Sequence, residues 1–266
     1  MFFLTDFDTN LMEKIEMENA AGQIARKIVS IRFSPGGFSF HLLTEAGIRA
    51  GEHTWKIKKE SRKDMAIENA LHEAGLLNGK ERFDAVYLFP ETERSVLVPD
   101  ACFEPETAVN YLLVNGFTLE TEETAIVSTS VEGVRAVMAL SRETATCFGT
   151  LFPGIRYFSP LQLLAAAPES GTTRLLMLRS NIAIAAFSNS LQYAETLPYP
   201  SVADALYYLN RLPSELQKNR IVASGLEKSD LKILRRYHKV EEEDFVTLLS
   251  RFDAILGEKE HADHQR

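Results

Sequence analysis

The chain has 266 residues, 45% hydrophobic and 25% charged, a composition that suits a globular protein with one large or two modest cores and roughly three quarters of its unfolded surface buried. No run of about 18 apolar residues offers a membrane span, and a formal charge of −8 without any Lys/Arg-rich run argues against nucleic acid as a partner. Cys102 and Cys147 stand far apart with no histidines beside them, which excludes a disulfide framework or thiolate metal site and predicts two reduced, buried thiols.

The start, MFFLTDFDTN, has no basic segment and meets Asp6 and Asp8 early, so no signal peptide and a cytoplasmic location are expected. Phe2 to Leu4 suit a short strand, and Asn10 with Glu13 can cap a helix carrying Leu11, Met12 and Ile15. Ile28 to Phe33 and Phe38 to Leu43 flank Ser34-Pro35-Gly36-Gly37, a hairpin turn in which the glycines supply positive φ. His53, Trp55 and Ile57 alternate with polar residues as a third strand. Ser61, three residues before Asp64, opens a helix striped by Ile67, Ala70, Leu71 and Ala74.

Ala85 to Phe89 reads as a buried strand, Ser95 to Val98 as a brief one, Glu106 to Asn115 as a helix and Thr124 to Thr129 as a strand. Val134, Val137, Met138 and Ala145 predict a long helix starting at Ser130, broken by Phe152-Pro153-Gly154. A strand over Ile155 to Phe158 and a short helix through Leu161, Leu164 and Ala165 follow, and Pro168 to Thr172 interrupts the apolar pattern as a domain boundary. The expected domains are 1–170, with an N-terminal extension and an inserted segment, and 171–266.

The second part opens like the first. Arg174 to Arg179, Ile182 to Ser188 and Leu191 to Leu197 form a three-strand meander with turns at Ser180-Asn181 and Asn189-Ser190. Ser201 and Asp204 then start a helix striped by Val202, Leu206, Leu209 and Leu212, and Arg220 to Ala223 returns as a parallel strand. Glu241-Glu242-Glu243-Asp244 precedes a final helix carrying Phe245, Leu248, Leu249, Phe252 and Ile255, where negative charge complements the dipole. The tail from Glu258 has nothing to bury and is expected to fray, and its His261, Asp263 and His264 need no metal.

A duplicated meander-then-helix unit is similar to the actin-like ATPase fold, the ribonuclease-H-like pair shared by actin, sugar kinases and the heat-shock chaperone ATPase. The fold class expected is therefore α/β with two ribonuclease-H-like domains, mixed sheets and an antiparallel meander in each half. Residues 126–167 look like the corresponding part of the pilus-assembly and cell-division branch. The phrases VLVPDACFEPETAVNYLL, FPGIRYFSPLQLLAA and ADALYYLNRL, with NRIVASGL, resemble a bacterial family defined as a domain of unknown function, over about residues 25–245.

In active members of the fold, the turn between the first two strands of each half holds Mg²⁺-nucleotide phosphates with an acidic residue and glycine. The corresponding stretches here, Arg32 to Gly37 and Leu178 to Asn181, contain no Asp or Glu, which leaves nothing to orient Mg²⁺ or an attacking water. The adenosine-contacting double glycine of the fold aligns with Ser224-Gly225-Leu226, where one glycine is leucine. The resemblance thus implies a degenerate, non-catalytic binding or assembly module with a protein partner, no cofactor, no metal and no direct membrane insertion; it leaves the oligomeric state open.

Two alternatives stand beside it. The weak cleft candidates Gly36, Gly37, Ser180, Asn181 and Gly225 could hold a nucleotide or small anion without hydrolysis, with Arg32 and Arg179 at equivalent points of the repeats; hairpin turns and structural ion pairing are the plainer readings. Asp6-Phe7-Asp8 resembles the nucleophile motif of haloacid-dehalogenase-type phosphatases, in which the first carboxylate attacks phosphorus. It departs from that motif in having Thr9 directly after the second Asp, and no later Asp pair to hold Mg²⁺. Tyr199, Tyr207 and Tyr208 suit either an exposed contact surface or packing against the domain interface.

Overall fold

The computed structural model describes residues 27–34, 36–44, 52–56, 63–73, 77 and 83–263, with the backbone alone for 43–44, 52–56, 63–64 and 257–263. The expectations for residues 1–25, Asp6 included, lie outside the described residues, as do Ser61, Ala74 and His264. By contact density, Met1–Leu88 with Cys147–Ile155 forms one compact unit and Phe89–Thr146 with Arg156–Arg266 another.

In the first unit, β1 (Lys27–Ser34) and β2 (Gly37–Thr44) pair antiparallel with Ser34 opposite Gly37, so the turn falls where the glycines predict it. Ser34 Oγ donates to the Gly37 carbonyl at 3.1 Å, and Gly37 takes φ +152°, a region open to glycine. β3 (Glu52–Lys56) pairs antiparallel with β2 and completes the first meander, and the strand order continues through β1 to β4 (Ala85–Pro90). Ile28, Val29, Ile31 and Phe33 are buried, and Phe33 meets the ring edge of Phe148 at 5.2 Å. The first helix, α1 (Lys63–Glu73), buries Ile67, Ala70 and Leu71, the predicted stripe.

The second unit holds a five-stranded sheet in the order β11-β10-β9-β12-β13: β9 (Thr172–Met177), β10 (Asn181–Phe187), β11 (Leu191–Pro198), β12 (Arg220–Ser224) and β13 (Val240–Glu242). β10 runs antiparallel to both neighbours, whereas β12 is parallel to β9 and to β13, as a helical crossover requires. Ile182, Ile184 and Ala186 face the helix Val202–Arg211, whose Ala205 and Leu209 pack with Leu212 and Leu216 against them. Period-two alternation sends Ala183 and Ala185 to the opposite face.

This helix begins where Ser201 and Asp204 predict, but by another bond. The Ser201 hydroxyl donates to the Asp204 carboxylate at 2.7 Å, and no side chain caps the backbone. The two polar groups satisfy one another and leave the capping to Asp204 N–H donating to the Ser201 carbonyl at 3.1 Å.

A three-stranded sheet, β5-β7-β6, carries the largest correction: β5 (Ser95–Pro99), β6 (Glu123–Val127) and β7 (Val134–Ser141). The long helix expected from Ser130 is the central strand β7, followed by a separate helix at Arg142–Leu151. Glu132 at φ +49° and Gly133 at φ +74° make a tight turn closed by Val131 and Val134, and β7 is buried on both faces from Ala136 to Leu140. A doubly buried strand is continuously apolar, so its residues also satisfy helical spacing.

Counting helices in chain order, α2 is Ala108–Val114, α3 Arg142–Leu151, α4 Pro160–Ala165, α5 Val202–Arg211, α6 Lys228–Leu234 and α7 Phe245–Asp263; β8 is Arg156–Tyr157. The Glu106–Asn115 expectation resolves into a 3₁₀ turn at Pro105–Thr107 followed by α2. α7 continues through Asp263, beyond the point at which the tail was expected to fray.

α4 has a capping box that the sequence reading passed over. Ser159 Oγ accepts from Leu161 N–H, and Gln162 Oε1 accepts from Ser159 N–H, both at 3.1 Å. Gln162 Nε2 donates to the Thr129 and Val134 carbonyls, and the Ser159 hydroxyl meets that of Ser95 at 2.8 Å. The buried network is fully satisfied and fixes α4 to the strands β5 and β7. Cys102 is exposed and Cys147 half-buried, against the expectation that both are buried.

His238 supplies a pH-dependent element. It lies just after α6, with Nε2 buried and without a hydrogen-bond partner, and burial holds the imidazole below its ordinary pKa of 6.5. The folded state therefore binds this proton less readily than the unfolded chain. The stabilisation is complete above pH 6.5 and is lost as pH falls through the folded-state pKa. His238→Gln is expected to flatten the fall of melting temperature on the acid side of pH 6.5, read by thermal denaturation across a pH series.

Candidate functional site

The predicted cleft residues fall into two groups in separate units. Gly36 is half-buried and Gly37 buried at the β1–β2 turn, and Arg32 is half-buried on β1 opposite Ser39. The other group lies at the carboxyl ends of β9 and β12. Leu178 to Asn181 form the tight β9–β10 turn, in which Leu178 N–H donates to the Asn181 carbonyl at 2.9 Å. Its central residues are Arg179 and Ser180, and Asn181 is already the first residue of β10, so the turn falls one place earlier than the expected Ser180-Asn181.

Gly225 immediately follows β12 at φ +75°, and a Cβ there would sit 3.4 Å from Met177 Cβ at the end of β9. The backbone thus brings Gly225 and the Ser180-Asn181 turn to one edge of the sheet. Gly225→Ala is expected to lower stability by about 1 kcal/mol through its left-handed φ, seen as a lower urea midpoint at unchanged m-value.

Sequence reasoning missed the acid at this edge. Glu91, just past β4, accepts a hydrogen bond from the Arg179 backbone N–H at 2.9 Å. A carboxylate absent from the turn itself thus arrives from 88 residues away and takes one of the turn's backbone donors. No local spacing signals such a contact.

The turn is also latched. Tyr199 N–H donates to the Ser180 carbonyl at 2.9 Å, and Tyr199 Oη donates to the Asp230 carboxylate at 2.6 Å. Burial, with Asp230 second, raises the Tyr199 pKa and keeps the phenol neutral. Tyr199 and Tyr208 pack on the core around α5, whereas Tyr207 is exposed beside Arg211. The first pair therefore packs within its own unit, and of the three tyrosines Tyr207 is the exposed one.

A second polar cluster lines a depression of about 360 Å³ along β9, β12 and β13, bordered by Thr247 and Arg251 of α7. Arg174, only 4% exposed, donates to Glu243 at 2.7 Å and to the Ala167 carbonyl at 2.9 Å, and pairs with Glu169 at 3.5 Å. Arg220 bridges Glu169 and Glu241, and Arg251 pairs with Glu243. Of the acidic run expected to serve as a helix-dipole cap, Glu241 and Glu242 are strand, and Glu241, Glu242 and Glu243 have arginine partners. Asp244 alone acts on the helix start, accepting from Val246 N–H at 3.2 Å. The arginines are neutralised by protein acids, so the cluster is a structural ion network. Among the described residues, no group of three or more His, Cys, Asp or Glu is placed to hold a metal ion, and no helix is long and apolar enough to cross a membrane.

The meanders, the parallel return strand and the turns at the carboxyl edge define an actin-like ATPase fold. Among solved structures, the chain is similar to a Bacteroides thetaiotaomicron protein with actin-like ATPase fold and unknown function, at 18% identity over 82% of this chain and 91% of that one, with a TM-score of 0.65. Weaker likenesses are to the cytoplasmic domain of EpsL, an inner membrane component of the type II secretion system of Vibrio cholerae (12% identity, 85% and 93% covered, TM-score 0.48), and to the PilM-PilN type IV pilus biogenesis complex (12%, 90% and 75%, TM-score 0.36). The chain belongs to the family described as protein of unknown function DUF3822, whose model matches residues 16–224. No curated protein matches it.

Proposed function

We propose that this chain is a non-catalytic binding or assembly module that uses the actin-like ATPase fold without its nucleotide chemistry. The observation that carries this reading is the Glu91 carboxylate on the Arg179 N–H. A protein anion there repels phosphate by like charge and occupies a donor the phosphate needs, while the turn residues Ser180 and Asn181 supply no acid for Mg²⁺. Two ribonuclease-H-like halves divided near residue 170 are part of the proposal. They are supported by the order third, second, first, fourth strand, which recurs as β3-β2-β1-β4 and β11-β10-β9-β12. The module is proposed to work in the cytoplasm with a protein partner.

Calorimetric titration with ATP and Mg²⁺, together with a phosphate-release assay, tests the reading. The expected result is no Mg²⁺-dependent heat and no turnover; tight Mg²⁺-dependent binding or released phosphate overturns it. A second reading, a nucleotide or small-anion binder without hydrolysis, draws on the open backbone at Gly225 beside Met177. It predicts a thermal shift with nucleotide in the absence of Mg²⁺, lost in Gly225→Ala but not in Gly171→Ala, a left-handed glycine remote from that edge.

A further inference from the structure

β5 and β11 are both edge strands, each bonded to one neighbour only, and they flank a groove of about 460 Å³. No backbone hydrogen bond joins them, although Cα atoms of the two strands come within 8 Å, so each keeps backbone N–H and C=O groups unpaired on its free edge beside the groove. Exposed edges are ordinarily blunted by lysine, proline, a bulge or brevity. β11 runs for eight residues, LQYAETLP, with no lysine, its proline at the last position and its register shift confined to the end facing Phe187. An unprotected edge of that length is a template for strand addition.

The surroundings select the occupant. Glu195 is the charged residue among the groove's lining, which otherwise offers Leu97, Phe117 and Tyr193 as partly buried apolar surface with Asn115 and Gln192. The adjoining segment 91–141 contains nine carboxylates and two arginines, a net charge of −7 beside −8 for the whole chain. Both arginines are already spent on carboxylates of the same segment, Arg94 on Glu123 in a bidentate pair and Arg135 on Asp100. At the groove's end α2 leaves Val109, Leu113 and Val114 exposed, Val114 at 86%, directly before Asn115. Net negative potential beside apolar surface favours a cationic, part-apolar chain and repels acidic peptides.

We propose that an extended segment of a partner protein, alternating apolar and Lys/Arg residues, binds in this groove by adding a strand along the free edge of β11 where β5 leaves it open. Main-chain bonds to β11 hold it, Lys/Arg side chains meet Glu195 and the acidic segment, and apolar side chains cover Leu97 and Phe117. The proposal rests on the reading of the chain as a binding module, and its failure leaves the ATP and Mg²⁺ titration unchanged, so the two can fall separately.

The test uses the full chain with a synthetic peptide of alternating valine and lysine as long as β11, and a valine–glutamate counterpart. Hydrogen exchange followed by mass spectrometry or NMR is expected to show slowed amides in β5 and β11 with the lysine peptide only. Glu195→Lys, at an exposed position that should not disturb folding, is expected to weaken binding on the order of tenfold and to reduce its salt dependence. Absence of protection in both strands, equal protection by the glutamate peptide, or an affinity indifferent to Glu195→Lys overturns the proposal. So does protection that appears without peptide as protein concentration rises, since the occupant is then a second copy of this chain.

Discussion

Phe158→Ala is expected to lower the free energy of unfolding by about 3–5 kcal/mol, among the largest effects of any single truncation in the chain. Phe158 is fully buried, with its ring edge-on to Phe252 at 4.9 Å and tilted against Phe89 at 5.9 Å, while Phe89 and Phe252 meet at 5.7 Å. The three rings come from the end of β4, the residue directly after β8 and the middle of α7, so no one element can shift inward to fill the space. Close packing leaves the vacated volume as a cavity. Urea denaturation checks the value, and Phe158→Leu should retain most of the stability because it keeps more of the buried carbon.

Arg174→Met should cost about 3 kcal/mol, for an electrostatic reason. Its guanidinium is buried and compensates Glu243, whose side chain is 9% exposed. Removing the cation leaves a buried carboxylate with only the half-exposed Arg251 as partner, and the penalty of an uncompensated buried charge exceeds the net worth of the pair. The double substitution Arg174→Met with Glu243→Leu should therefore be more stable than Arg174→Met alone. A cost below about 1 kcal/mol for the single change would show that solvent screens this network as it screens surface pairs.

The meanders were legible because alternation and turn residues are local signals: Gly36 lies inside the first hairpin turn, and the second falls on Arg179-Ser180, one residue before the expected Ser180-Asn181. The same local logic failed at β7. Val134, Val137 and Met138 fit a helix stripe, but a strand covered on both sides has no polar alternation to betray it, and Glu132-Gly133, which can adopt positive φ, was the discriminating turn. At α4 the Ser159-to-Gln162 spacing was present in the sequence and carried the cap.

The candidate site was half legible. Absent acids in the turns can be read from residue order, whereas the acid that replaces them comes from Glu91 through the fold. Likewise Glu241 to Glu243 look like a solvated run until β13 sets them beside Arg174 and Arg220. Long-range ion pairing leaves no periodic trace.

The Glu91 contact also has a concentration attached to it. Because the carboxylate is tethered to the same chain as the Arg179 N–H, its local supply does not dilute, and short tethers give effective concentrations of roughly millimolar or more. On the proposed reading, a phosphate group at this N–H would compete with a carboxylate whose local concentration does not fall on dilution, and Glu91→Gln is the change expected to strengthen anion binding there.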